Sequence, residues 1–202
     1  MQHSDLSTNL TDLARSPVDL PIYRQTKSSI PVCLDVMQAH EAETVRAMLN
    51  QFVAEGLSYP QSEPLTVDAF AAYWLKGEAF IVRRLDAASA LPSGDDIVGA
   101  FYLKPNFPGR CCHIANAGFI VTPKLQGQGL GRWMGETMLQ LARDRGYRAV
   151  MYNLVFATNV ASLRLWESLG FREIGRIPDG VCLPDGRYVE AVMLHRSLVN
   201  AP

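Results

Sequence analysis

Hydrophobic and polar positions along the chain switch repeatedly between a two-residue and a helical period. Ile30 to Met37, "IPVCLDVM", reads as a strand. "AHEAETVRAMLNQFVAEG" then sets Val45, Met48, Leu49, Phe52 and Val53 on one stripe, predicting a helix stopped by Gly56. After the loop "LSYPQSEPL", "TVDAFAAYWLKGE" predicts a second helix with Thr66 as its N-cap. "AFIVRRL" and "DIVGAFYLKPN" predict two strands joined by a loop containing "PSGDD". His113 to Val121, "HIANAGFIV", predicts a further strand, apolar enough to be buried on both faces.

Met134, Met138, Leu141 and Ala142 fall at i, i+4, i+7 and i+8, the stripe of a helix running from Gly131 to a stop at Gly146. "YRAVMYNLVF" predicts another strand. "NVASLRLWESLGF" predicts a short helix with Asn159 at its cap and a Schellman stop at Gly170 and Phe171. The tail predicts two strands around Pro-Asp-Gly turns. The order β-α-α-β-β-β-α-β-α-β-β describes a mixed sheet with helices on its faces, in the α/β or α+β class.

Composition narrows the function more than the fold. The 202 residues are 48% hydrophobic and 19% charged with a net charge of −1, which fits one globular domain without a basic field for nucleic acid or anionic lipid. Residues 1–29, polar and punctuated by Pro17 and Pro21, read as an N-terminal extension to a domain spanning 30–202. No apolar run approaches a membrane span and the start resembles no signal or transit peptide, so a cytoplasmic protein without membrane or nucleic-acid partners is expected. Cys33, Cys111, Cys112 and Cys182 form no C-x-x-C pair, so no metal is expected and buried free thiols are.

The densest signal is "VTPKLQGQGLGRWMGE". Gly127, Gly129 and Gly131 stand between a strand and a helix start, where unpaired amides and the helix dipole favour phosphate oxygens. The spacing is not that of a P-loop, because Arg132 and Trp133 follow Gly131 where Lys and Ser or Thr are required. Nor does it fit a dinucleotide fold, whose third glycine comes one residue later and whose acidic residue is missing. The remaining option is the pyrophosphate of coenzyme A.

"QGQGLG", Gln126 to Gly131, resembles the [Q/R]-x-x-G-x-[G/A] signature of the Gcn5-related N-acetyltransferases (GNAT). "NVASLRLWESLGF" resembles their N-x-x-[AS]-x-x-x-[YW]-E-x-x-G-F element. The resemblance implies a mixed, mostly antiparallel sheet flanked by helices, acetyl-CoA as acetyl donor, and a homodimer. It places the pyrophosphate on the amides of Gln126, Gly127, Gln128, Gly129, Leu130, Gly131 and Arg132. It sets Phe119, Ile120 and Val121 against the pantetheine arm through backbone groups, and Asn159, Ser162 and Trp166 along the cofactor.

Trp166 departs from the tyrosine that many members place there as the acid for the departing thiolate, since an indole N–H is a donor but not a usable acid. Asn116 and Asn153 interrupt strand runs where asparagine is disfavoured and its amide must find partners. They are the expected catalytic or substrate-handling pair, and His113 is expected to be structural. "HIANAGFIV", "RWMGE" and "NLVFATNVASLRLWESLGF" resemble more closely the fungal acetyltransferases that detoxify L-azetidine-2-carboxylate, whose asparagines matching Asn116 and Asn153 handle substrate. That resemblance implies a small cyclic amino acid as acceptor. A polyamine, an aminoglycoside-like drug or a protein N-terminus, and a non-catalytic acyl-CoA sensor, are the competing readings. An amino acid needs a cation for its carboxylate, and Arg83, Arg84 and Arg110 are candidates.

Overall fold

Local chemistry decides where the helices begin and end. Thr66 Oγ1 accepts from the Ala69 N–H at 3.2 Å and Asn159 Oδ1 from the Ser162 N–H at 3.1 Å, so two helix starts are capped as the sequence predicts. At the far end of the second, Gly170 N–H bonds to Glu167 O and Phe171 N–H to Trp166 O, and the Phe171 ring packs on Trp166 at 5.5 Å, completing a Schellman stop with its apolar contact.

The structure is a computed structural model that describes residues 17–85 and 96–199. Its strands are β1 (Ile22–Gln25), β2 (Pro31–Val36), β3 (Glu78–Arg84), β4 (Ile97–Pro105), β5 (Ile114–Val121), β6 (Ala149–Phe156), β7 (Arg172–Cys182) and β8 (Tyr188–Ser197). Its helices are α1 (Ala42–Glu55), α2 (Val67–Trp74), α3 (Leu130–Asp144) and α4 (Val160–Ser168). Most of the "PSGDD" loop and the first sixteen residues of the extension lie outside the described residues.

All these strands join one sheet in the order β1-β2-β3-β4-β5-β6-β8-β7, antiparallel everywhere except between β5 and β6. A mixed, mostly antiparallel sheet flanked by helices is therefore the fold. One face packs on α1 and α2 through Val45, Leu49, Val53, Phe70, Trp74, Ile81 and Ala100. The opposite face packs on α3 and α4 through Phe80, Phe101, Met134, Met138, Leu141, Trp166 and Phe171. Each large side chain buried in these layers contributes about 1.5–3 kcal/mol relative to exposure.

Four local expectations are corrected. β1 falls within the stretch read as extension, pairing Tyr23 with Cys33 along the open edge of β2. The second helix ends at Trp74, because Gly77 brings β3 into register against Leu103 and Lys104. The first Pro-Asp-Gly is no turn; β7 runs through it, bulging between its Ile177–Ala191 and Val181–Val189 pairs, and only Pro184-Asp185-Gly186 closes a hairpin. β5 is not buried on both faces, since Ala115, Ala117 and Ile120 are buried between half-buried positions.

Candidate active site

The half-buried positions of β5 follow from one break in the sheet. β5 and β6 pair only at Ile114–Ala149 and Ala115–Val150, and beyond that point the strands part. β6 carries one extra residue there, since three steps from Tyr152 to Val155 match two from Leu194 to Val192 on β8. Such a bulge bends its strand and re-aims its side chains. Asn153 lies inside the bulge, which accounts for an asparagine in an otherwise apolar strand.

The gap opens a cavity of about 370 Å³ that reaches both faces of the sheet. On the α1/α2 side, Tyr102 donates to Asn116 Oδ1 at 2.9 Å and Asn116 Nδ2 donates to Met151 O at 2.9 Å, so one amide ties β4, β5 and β6 together at the fork. Gly118 permits this: a Cβ there would sit 2.5 Å from the Tyr102 ring. Asn153 and Asn106 exchange two amide hydrogen bonds beside it. Lys104 donates to Tyr73 O and lies 4.6 Å and 4.3 Å from the ring centres of Tyr73 and Tyr102. Burial, and secondarily the charge of Lys76, pulls its pKa below the usual lysine range.

On the α3/α4 side the cavity is walled by Phe119, Tyr152, Asn159, Ser162 and Trp166. Trp166 is 5% exposed, packs at a tilt against Phe119 at 4.8 Å and Tyr152 at 4.6 Å, and donates its indole N–H to Ser162 Oγ at 2.9 Å. Its donor is thus occupied.

The strand edge and the glycine loop continue this wall. Thr122 N–H bonds to Val98 O, so the alternation of an antiparallel pair turns Ile120 toward β4 and the backbone groups of Phe119 and Val121 toward the gap. Ile120 therefore offers no backbone group to the gap. Phe119 O accepts from Tyr59 at 2.8 Å and Val121 O from Gln126 Nε2 at 3.4 Å. Gly129, at φ +88°, caps α3, and the first helical bond runs from Trp133 to Gly129 O, leaving the amides of Leu130, Gly131 and Arg132 without intrahelical acceptors. A Cβ at Gly127 would meet nothing within 4 Å, so the loop is open to a ligand, and this bare cradle at a helix start fits a pyrophosphate. Gln128 is engaged by Ser28, and Arg132 by Ser168 and Glu136.

The remaining residues that the sequence singles out lie away from the cavity, and several residues that do line it carry no signal in the sequence. Arg83 is buried with Glu41, Arg84 lies 3.6 Å from Asp96, and Arg110 is exposed in a short turn; none lines the cavity, and neither does His113. Cys33 is buried as expected, whereas Cys111, Cys112 and Cys182 are exposed. Tyr59, Tyr73, Tyr102, Lys104, Asn106 and Tyr152 line the cavity without having been anticipated.

A mostly antiparallel sheet whose parallel pair splays above a strand–glycine loop–helix unit defines an acyl-CoA-dependent acetyltransferase. Residues 48–171 match the model of the Acetyltransferase (GNAT) family, and the chain belongs to that family. It is accordingly an N-acetyltransferase with acetyl-CoA as donor. It is 35% identical over 146 residues to the N-acetyltransferase aca1 of Schizosaccharomyces pombe, covering 67% of this chain and 69% of that protein. The solved GCN5-related N-acetyltransferase from Kribbella flavida superposes with a TM-score of 0.73 at 26% identity, over 82% of this chain and 97% of that one. A phosphinothricin acetyltransferase from Sinorhizobium meliloti, in complex with acetyl-CoA, shares the fold with a TM-score of 0.69 at 15% identity, over 82% and 88% of the two chains.

Proposed function

We propose that the acceptor is a small amino acid, most concretely a cyclic one such as L-azetidine-2-carboxylate or a proline-related metabolite. The observation that carries this reading is the charge of the cavity. Among the described residues, Lys104 is the one charged side chain lining it, and no aspartate or glutamate does. A polyamine or aminoglycoside would meet a cation where it needs anions, whereas an amino acid brings a carboxylate that a poorly solvated ammonium binds well. Tyr59, Tyr73 and Tyr102, which wall the cavity around Lys104, suit a compact ring.

In this reading the loop amides of Gly127–Arg132 hold the pyrophosphate, the Gln126 N–H being bonded to Pro123 O, while the backbone of Phe119 and Val121 aligns the pantetheine, and Asn159 and Ser162 flank it. Acetyl-CoA supplies the activated acyl carbon. Asn116 and Asn153 hold the acceptor or its water near that carbon, a positioning task. An amide is no base, so the amine proton leaves through water. A thiolate is a fair leaving group, its thiol having a pKa of about 8.5, so Trp166 need not act as an acid.

The test is coenzyme A thiol release with acetyl-CoA and, separately, L-azetidine-2-carboxylate, cis-4-hydroxyproline, proline, spermidine and a lysine peptide. Saturable release with the cyclic amino acids is expected. Release with spermidine or the peptide instead would overturn the acceptor, and none with any amine would favour the sensor.

A further inference from the structure

Among the described residues, four buried polar side-chain atoms lack hydrogen-bond partners, and Tyr152 Oη is one of them. Leaving a buried hydroxyl unsatisfied costs about 1–3 kcal/mol, so this one calls for an account. Tyr152 is 6% exposed and lines the cavity. Its position is fixed from both directions along the chain, since Asn116 holds the carbonyl of Met151 before it and the β6 bulge begins after it. Its ring is clamped by Trp166 at 4.6 Å and Phe171 at 4.9 Å.

The side chain belongs to the core layer of α3 and α4 and shares its wall of the cavity with Phe119, Asn159, Ser162 and Trp166. Two other donors on that side are already engaged. The Trp166 N–H goes to Ser162 Oγ, and the Ser162 N–H goes to Asn159. Burial, reinforced by the nearby Tyr59 phenol, holds the Tyr152 hydroxyl well above the usual tyrosine range. It therefore stays protonated at every pH at which the enzyme would work.

We propose that the Tyr152 hydroxyl donates a hydrogen bond to the thioester sulfur as the carbon–sulfur bond breaks. In the transfer the amine nitrogen forms a bond to the acyl carbon, and the sulfur leaves with the electron pair of the broken bond. The nitrogen proton passes to water, which returns one to the thiolate. The phenol keeps its own proton throughout, because a hydroxyl of raised pKa is a donor to developing charge and not an acid toward a thiol of pKa about 8.5. The assignment rests on acetyl-CoA being the donor and not on which amine accepts.

The experiment is a pH titration of the coenzyme A thiol bound to wild-type protein and to Tyr152→Phe, followed by the ultraviolet absorption of the thiolate. It needs no acceptor. A donor to sulfur favours the thiolate, so Tyr152→Phe should raise the bound thiol pKa by about one unit or more. The variant removes an atom that has no partner, so its thermal midpoint should match or exceed the wild type, which separates the effect from misfolding. With an acceptor that the wild type turns over, kcat should fall by about 10- to 100-fold while KM for acetyl-CoA barely moves. A bound thiol pKa unchanged within about 0.3 unit would overturn the proposal, even if kcat fell, because the hydroxyl would then act on another atom.

Discussion

Asn106, just beyond β4, and Asn153, in the β6 bulge, exchange hydrogen bonds of 2.9 Å and 2.7 Å across the cavity mouth. Each amide fixes the rotamer of the other and keeps one donor and one acceptor site for a ligand. If Asn153 positions the acceptor, Asn153→Ala lowers turnover by about 10²-fold. Asn106→Ala keeps the Asn153 side chain but frees it to rotate, so a smaller loss, about tenfold, is expected. Steady-state kinetics on both variants decides the matter; near wild-type turnover in Asn153→Ala removes the residue from the mechanism.

Arg83 gives the opposite kind of expectation. Its guanidinium is 2.6 Å from Glu41 and 3.6 Å from Asp35, and Arg83 and Glu41 are 7% and 3% exposed. Removing one partner strands a buried charge, so Arg83→Met should cost about 3–5 kcal/mol of stability. Chemical denaturation measures this directly. The acceptor KM of the folded fraction should be unchanged, and a selective rise in it would return Arg83 to the list of carboxylate receivers.

The two asparagines and the arginine mark the boundary of what the sequence makes legible. Periodicity locates β2 to β6, β8 and the helices because each has a buried face to declare, whereas β7 buries Val181 alone and is legible mainly by its turn residues. β1 escaped: "IYRQ" is a four-residue edge strand with exposed positions, ordered by the open edge of β2 and not by its own pattern. Asn116 and Asn153 were visible because polar amides violate an apolar run. The rest of the pocket violates nothing. Tyr59 sits in a loop, and Lys104 is an ordinary residue near the end of a strand. Only the packing of Tyr73 against Tyr102, at 5.7 Å, shows what stands over that lysine.

The glycine loop can be tested through its backbone. Gly129 holds φ +88° at the cap of α3, a conformation costing a residue with a Cβ about 1–2 kcal/mol. A Cβ there comes only within 3.9 Å of Lys27, so the penalty is conformational and not steric. Gly129→Ala should therefore lower stability by about 1–2 kcal/mol and weaken coenzyme A binding, with little change in the affinity of an acceptor analogue. Calorimetric titration with coenzyme A provides the check. Unaltered coenzyme A affinity would separate the loop from the cofactor.

Lys104 yields a pH dependence whose sign is fixed. The protonated ammonium is the form that attracts a carboxylate, and burial holds its pKa below the usual lysine value of about 10.4. Carboxylate binding should thus be intact near neutrality and fade as pH rises through that lowered pKa, earlier than for an exposed lysine. Cyclobutanecarboxylate, a ring acid with no amine, isolates this effect, because its own carboxylate stays ionised across the range. Its inhibition constant should be level near neutral pH and then rise by about tenfold per pH unit once Lys104 deprotonates. Lys104→Met should raise the constant at pH 7 by about 10- to 100-fold, the loss of a charge-assisted hydrogen bond, and abolish the alkaline limb. A limb that persists in Lys104→Met belongs to another group. An unchanged constant at pH 7 would mean that the carboxylate is held elsewhere, and the argument for an amino-acid acceptor would lose its main support.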